Sequence, residues 1–278
     1  MWRAILYLLL LSLCGCASFE RDTSRWDSPL QREPTHIPLS YSQQGSGRDI
    51  LLIHGFGASR FTWRAIAPAL AKHYRVTALD LKGFGLSAKP RDKRYTAYDQ
   101  AAQVSHFIRQ HKLHNPIVIG HSFGGAVSLA TALYLRDYPQ YKPRALVLID
   151  SIAYPQELPL FVELLATPLL GPAAVHTLPN SFQVRTLLKK VYFDDSLINE
   201  QAVTHYAQHL ARANAKYALI QSARQLMPED LAAFNQSFAL LSQPSLILSA
   251  AQGDIVPLWV AQKLAGALDK SELVVVQQ

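Results

Sequence analysis

The chain has 278 residues, 49% of them hydrophobic, with a formal charge of +7 and a pI near 9.4. That size and apolar content suit one large core with a subdomain. The basic residues, Lys82, Lys89, Arg91, Lys93, Arg94, Lys189 and Lys190 among them, are scattered without interleaved aromatics, which argues against a nucleic-acid partner and allows a mild attraction to anionic headgroups. Both cysteines, Cys14 and Cys16, lie at the amino terminus, which removes disulfides and thiol catalysis from the body.

Taken in chain order, Arg3 precedes an apolar stretch from Ala4 to Leu13. It is shorter than the roughly 20 residues of a membrane-spanning helix and suits a signal-peptide core. The following Leu13-Cys14-Gly15-Cys16 resembles the lipobox of bacterial lipoproteins. The resemblance implies a signal peptide over 1–15, acylation of Cys16, and a place in a bacterial cell envelope. Ala17, with no Asp after the cysteine, points to the outer membrane. The competing reading is an ordinary signal or anchor helix with incidental cysteines. Residues 16–35, with Asp22, Asp27, Pro29 and Pro34, form a lipid anchor and polar tether.

Apolar runs then predict strands near 37–42, 50–53, 75–79, 116–119, 145–149, 245–249 and 272–276. Helices are expected near 61–72, 97–111, 123–138 and 257–268, with Thr96 and Asp99 as a capping box. Gly45-Ser46-Gly47 reads as a hairpin turn. Alternating strands and helices imply an α/β fold: a mostly parallel central sheet with helices on both faces. Between 152 and 234 the alternation gives way to helical, Pro-punctuated sequence, a helical cap insertion. The core is expected over 36–151 and 235–278.

The segment with most chemical content is Gly120-His121-Ser122-Phe123-Gly124-Gly125, directly after Pro116-Ile117-Val118-Ile119. Strand, G-x-S-x-G and helix in succession form a nucleophile elbow, which lifts the serine hydroxyl to the rim of the sheet. Ser122 is the nucleophile candidate, and the Phe123 amide a donor to a developing oxyanion. A serine needs a base, usually a histidine oriented by a carboxylate; in folds built around such an elbow the chain order is Ser, acid, His. Asp254 follows the strand at 245–249 and is the acid candidate; Asp150, after 145–149, is the second.

His54-Gly55-Phe56-Gly57, Asp80 to Ser87, Gly120 to Gly125, and Gly253-Asp254 with Pro257 together resemble the α/β-hydrolase fold superfamily, in its serine esterase and lipase branch. The resemblance implies the Phe56 amide as the second oxyanion donor. It also implies a Gly-His turn carrying the base after the final strand; the sequence ends at Gln278 before such a turn, so the expected histidine is absent from these 278 residues.

Other histidines are weaker candidates for the base. His54 and His121 flank the two loops and suit supporting roles. His106, His111 and His114 lie on or just after a helix expected to flank the sheet and suit the surface, and His176 lies in the insertion. His205 and His209, one helical turn apart, suggest a metal pair but lack a completing carboxylate pattern, so no metal and no cofactor are expected. Apolar sequence from Leu158 to Pro172 points to esters with an apolar acyl or alkyl part, although the same residues suit a face packed on the core. The expected function is a membrane-anchored carboxylic-ester hydrolase. Alternatives are an inactive or truncated hydrolase-fold binding module, and C–C hydrolase or haloperoxidase-like chemistry; serine rather than aspartate at the elbow argues against dehalogenase and epoxide-hydrolase chemistry.

Overall fold

The structure is a computed structural model that describes residues 37–192, 194–227, 230–253 and 255–277. The leader, tether and Cys16, as well as Asp254 and Gln278, lie outside the described residues.

Seven strands form one sheet: β1 (Tyr41–Gln44), β2 (Arg48–Ile53), β3 (Tyr74–Leu79), β4 (Ile117–His121), β5 (Ala145–Ile149), β6 (Ser245–Ala250) and β7 (Ser271–Val276). Their order is β1-β3-β2-β4-β5-β6-β7, with β1 antiparallel to β3 and every other pair parallel. The central strands are nearly all Val, Ile, Leu and Ala because both faces are covered. Successive side chains point to opposite faces. Leu51 and Ile53 therefore join one apolar cluster with Val118, Leu146, Leu148 and Ile247. Ile50 and Leu52 join another with Trp63, Ala67, Val76 and Ile119.

The first face carries α2 (Ala97–Gln110), α3 (Phe123–Tyr134) and α10 (Leu258–Ala267). The second is covered by a 3₁₀ turn at Arg60–Arg64 and the short α1 (Ala67–Leu70). On β7, Leu273 packs into the first cluster, whereas Val274 and Val276 are exposed. The capping box forms as expected: Asp99 N–H donates to Thr96 Oγ1 at 3.1 Å, and Thr96 N–H to Asp99 Oδ2 at 3.1 Å.

One expectation is overturned. Gly45-Ser46-Gly47 is not a hairpin turn, because β3 lies between β1 and β2 and pairs with both. The loop instead carries the chain past the start of β3. Gly45 has φ +76°, and a Cβ there would stand 2.3 Å from the carbonyl oxygens of Ala71 and Tyr74. The glycine is needed for that close approach rather than for a turn between paired strands.

Between β5 and β6 the chain leaves the sheet for α4 (Leu160–Ala166), α5 (Leu170–Thr177), α6 (Asn180–Val191), α7 (Glu200–Leu210), α8 (Ala215–Arg224) and α9 (Leu231–Ser237). α6 and α7 share a small apolar cluster of Val184, Leu188, Ala202 and Val203, against which Phe61 of the sheet domain packs. Val162, Ala223 and Phe234 tie α4, α8 and α9 to the main cluster. Among the described residues no single helix is long and apolar enough to cross a membrane.

Candidate active site

Ser122 occupies the junction of β4 and α3 with φ +53° and ψ −118°, a conformation sparsely populated by non-glycine residues. The surroundings hold it there. Ser122 N–H donates to Ile149 O at 2.9 Å, and its carbonyl accepts from Gly125 N–H at 2.9 Å and Ile152 N–H at 3.2 Å. The turn leaves no room for side chains two positions away: a Cβ on Gly120 would lie 2.3 Å from Gly124 O, and one on Gly124 2.3 Å from Ile53 O. Ser122 is half-buried, and its hydroxyl bonds to none of the described residues. A strained backbone that presents a hydroxyl bonded to none of the described residues is the geometry expected of a nucleophile elbow.

The loop after β2 lies against this elbow. The Cβ position of Gly55 is 3.2 Å from Ser122 Cβ and 3.3 Å from His121 O. Phe56 follows, its ring set edge-on to Phe84 at 6.1 Å. Phe123 is the first residue of α3, so its N–H has no acceptor within the helix. Among the described residues Phe56 N–H also lacks a backbone acceptor. The loop after β2 and the start of α3 thus meet at Ser122, and among the described residues neither the Phe56 nor the Phe123 N–H has a backbone acceptor.

The histidines sort by their bonds. Leu81 N–H donates to His54 Nε2 at 3.0 Å, which fixes the proton on Nδ1, and Nδ1–H donates to Gly55 O at 2.8 Å. Burial pushes this imidazole below the ordinary histidine value, against the pull of Asp80. His54 is a neutral rivet between two loops, with both nitrogens committed. His121 is also pushed down by burial, partly offset by the Asp150 carboxylate, and among the described residues its buried Nδ1 has no hydrogen-bond partner. His205 stacks on Phe61 at 4.0 Å with Nε2 3.3 Å from Ser59 Oγ, and the His209 ring lies 4.2 Å from it. Burial, then the neighbouring His205, pushes His209 down to about 4. Among the described residues no three ligating side chains converge. His111 stacks on Phe107 and His114 on Tyr141.

Of the two acid candidates, only Asp150 is described. Its φ is +41°, its N–H donates to Leu248 O at 2.9 Å, and its Oδ1 accepts from Ala250 N–H at 3.0 Å and Ser249 Oγ at 3.3 Å. It pins the ends of β5 and β6 together.

A residue with a role that sequence reasoning missed is Asp80. Its fully buried carboxylate accepts from Arg60 N–H at 2.7 Å, Arg60 Nη1 at 3.0 Å and Leu86 N–H at 2.9 Å. It therefore fastens the far end of the 54–60 loop to the 80–88 loop. The signal was the Asp80–Gly85 pair: a Cβ on Gly85 would lie 2.2 Å from Asp80 Cγ.

A mostly parallel sheet with a serine elbow on its fourth strand and a Gly-rich loop beside it defines a hydrolase of α/β type. The chain belongs to the alpha/beta hydrolase fold family, whose profile matches residues 50–278. It is 26% identical over 253 residues to the uncharacterized hydrolase YugF of Bacillus subtilis, covering 88% of this chain and 89% of that one. It is 28% identical over 249 residues to 2-hydroxymuconate semialdehyde hydrolase of a Pseudomonas species, covering 85% and 81%. In fold it is similar to a meta-cleavage product hydrolase of Pseudomonas fluorescens, with TM-score 0.70, 23% identity and coverage of 87% and 86%.

Proposed function

We propose that the protein is a serine hydrolase of carboxylic esters with an apolar acyl or alkyl part, held in a bacterial cell envelope, at the outer membrane, through acylated Cys16. The observation that carries the reading is the strained Ser122, its hydroxyl bonded to none of the described residues, beside the Phe56 and Phe123 amides that lack a backbone acceptor among them. In this reading Ser122 Oγ attacks the ester carbonyl carbon, and the developing oxyanion accepts the two amides. Asp254 orients the base that takes the hydroxyl proton and passes it to the leaving alkoxide, a role to which none of the histidines described above is assigned. Water then releases the acid from the acyl-enzyme. No metal or cofactor takes part.

The test is hydrolysis of p-nitrophenyl esters across acyl lengths, comparing the chain with Ser122→Ala. A rate that depends on Ser122 and rises with acyl length supports the reading. Equal background rates would favour a hydrolase-fold binding module. Incorporation of labelled palmitate into the chain but not into Cys16→Ser tests the anchor.

A second reading, C–C bond cleavage at the same serine, takes support from the Pseudomonas relative, which matches 85% of this chain. Turnover of a ring-cleavage dienoate, with ester hydrolysis at background, would select it.

A further inference from the structure

The inserted helices carry a cavity of about 430 Å³, between α5, α8 and the loop joining α7 to α8, whose lining does not include Ser122. Four cations line it: Arg91, Arg212, Lys216 and Arg224, together with His176 and Tyr217. No carboxylate lines it, and among the described residues none of these four forms an ion pair. Arg91 lies over the Tyr217 ring at 4.6 Å, so the cavity's own aromatic wall holds that cation in place.

Beside the cavity runs an apolar ridge. Leu160, Leu169 and Leu170 are 69%, 84% and 61% exposed, and Leu164 and Leu178 are exposed as well. These residues lie on α4, on α5 and in the segments flanking α5, and the two helices are bent by 104° at the break between them. Ridge and cavity share framework. Pro172 and His176 of α5 line the cavity while Leu169 and Leu170 stand at that helix's start, and Arg224 Nε of the cavity donates to Ala166 O at the end of α4 at 3.0 Å. Large leucines left in water next to uncompensated cations are the two halves of an interfacial membrane site: one enters the acyl boundary while the other meets headgroup phosphates.

We propose that this face is a docking surface for an anionic phospholipid bilayer, with the ridge of α4 and α5 inserted at the interface and the basic cavity on a phosphate headgroup. Charge complementarity singles out the occupant: a neutral apolar partner would leave four cations beside it unmatched. The inference goes beyond the reading above and rests neither on the chemistry of Ser122 nor on acylation of Cys16. The surface would hold the insertion toward the lipid, so that an apolar substrate reaches the protein from the membrane side.

The experiment is hydrogen–deuterium exchange on the full chain, free and on vesicles of neutral phosphatidylcholine with or without phosphatidylglycerol. Slower exchange over 160–178 and 211–224 on the anionic vesicles alone, with no change over 97–110, is expected, and it should weaken as salt screens the charges. Arg212→Gln with Lys216→Gln should weaken anionic-vesicle binding on the order of 25-fold, from about fivefold per basic residue at an anionic leaflet. Leu169→Ser with Leu170→Ser should abolish the protection over 160–178. The footprint should persist in Cys16→Ser, which separates this inference from the anchor, and in Ser122→Ala, which separates it from the chemistry. Equal protection on neutral vesicles, or none on either, would overturn the proposal. So would protection over 211–224 by inorganic phosphate alone, which would make the cavity a soluble-anion site. Protection of 160–178 that grows with protein concentration without vesicles would assign the ridge to a second copy and overturn it too.

Discussion

Asp80 holds Arg60 twice, accepting its backbone N–H at 2.7 Å and its guanidinium Nη1 at 3.0 Å. The carboxylate is fully buried while the arginine is a quarter exposed, so the amide bond is the less screened of the two. Asp80→Ala leaves the Arg60 and Leu86 amides without this acceptor. A stability loss of about 3 kcal/mol is expected in urea unfolding. Ser122-dependent ester turnover per folded molecule should fall at least about tenfold as the Phe56 donor moves. Unchanged turnover would show that the loop is positioned without Asp80.

Two glycines should respond with opposite signs. Gly124→Ala puts a methyl 2.3 Å from Ile53 O and 2.5 Å from His54 O, where neither backbone can retreat. A destabilisation of about 3 kcal/mol or more is expected. Gly266, in α10, has nothing within 4 Å of its Cβ position, so Gly266→Ala should stabilise by about 0.5–1 kcal/mol. Urea midpoints of the two variants check both.

The acid should be separable by mutation. Asp254→Asn should lower Ser122-dependent turnover by about 10⁴ if it orients the base. Asp150→Asn should chiefly lower the melting temperature, since Asp150 is already committed to Ala250 and Ser249. The reverse pattern would move the acid to Asp150.

Acid should weaken the packing of α7 on the sheet domain. Burial and His205 hold the folded-state pKa of His209 at about 4, against 6.5 for a free histidine. The unfolded chain therefore binds more protons between those values, and stability falls as pH drops through that window. Urea midpoints at pH 7 and pH 4.5 should differ less for His209→Gln than for the wild type. An equal difference would remove His209 from the pH response.

Val274 and Val276 expose apolar surface on β7, an edge strand of the described sheet. Val276→Lys should reduce self-association in light scattering without changing the melting temperature by more than a few degrees.

Local patterns were legible and long-range partners were not. Pro116 to Gly125 spelled out strand, elbow and helix because sterics within ten residues force them. The Thr96–Asp99 cap was equally local. Gly45 to Gly47 misled because a hairpin and a crossing loop share composition; the difference lies in β3, which begins 30 residues beyond Gln44 at Tyr74. Asp80 was visible as a landmark, but its donor at Arg60 lies 20 residues upstream. His205 reaches Ser59 across 146 residues, a contact that no periodicity encodes.

The placement of β3 between β1 and β2 also orders the assembly of the chain. Tyr41 pairs with Leu79 and Gln44 with Val76, so β1 has no strand to join until the polypeptide through Leu79 exists. During synthesis the first strand to emerge waits as an unsatisfied ribbon, while β2 and β3 form the first parallel pair beside it. The segment bearing Cys16 leads into that waiting strand. An acyl group added there would be joined to an edge strand of the described sheet, so that a pull on that segment would be borne by β1 before it reached the elbow.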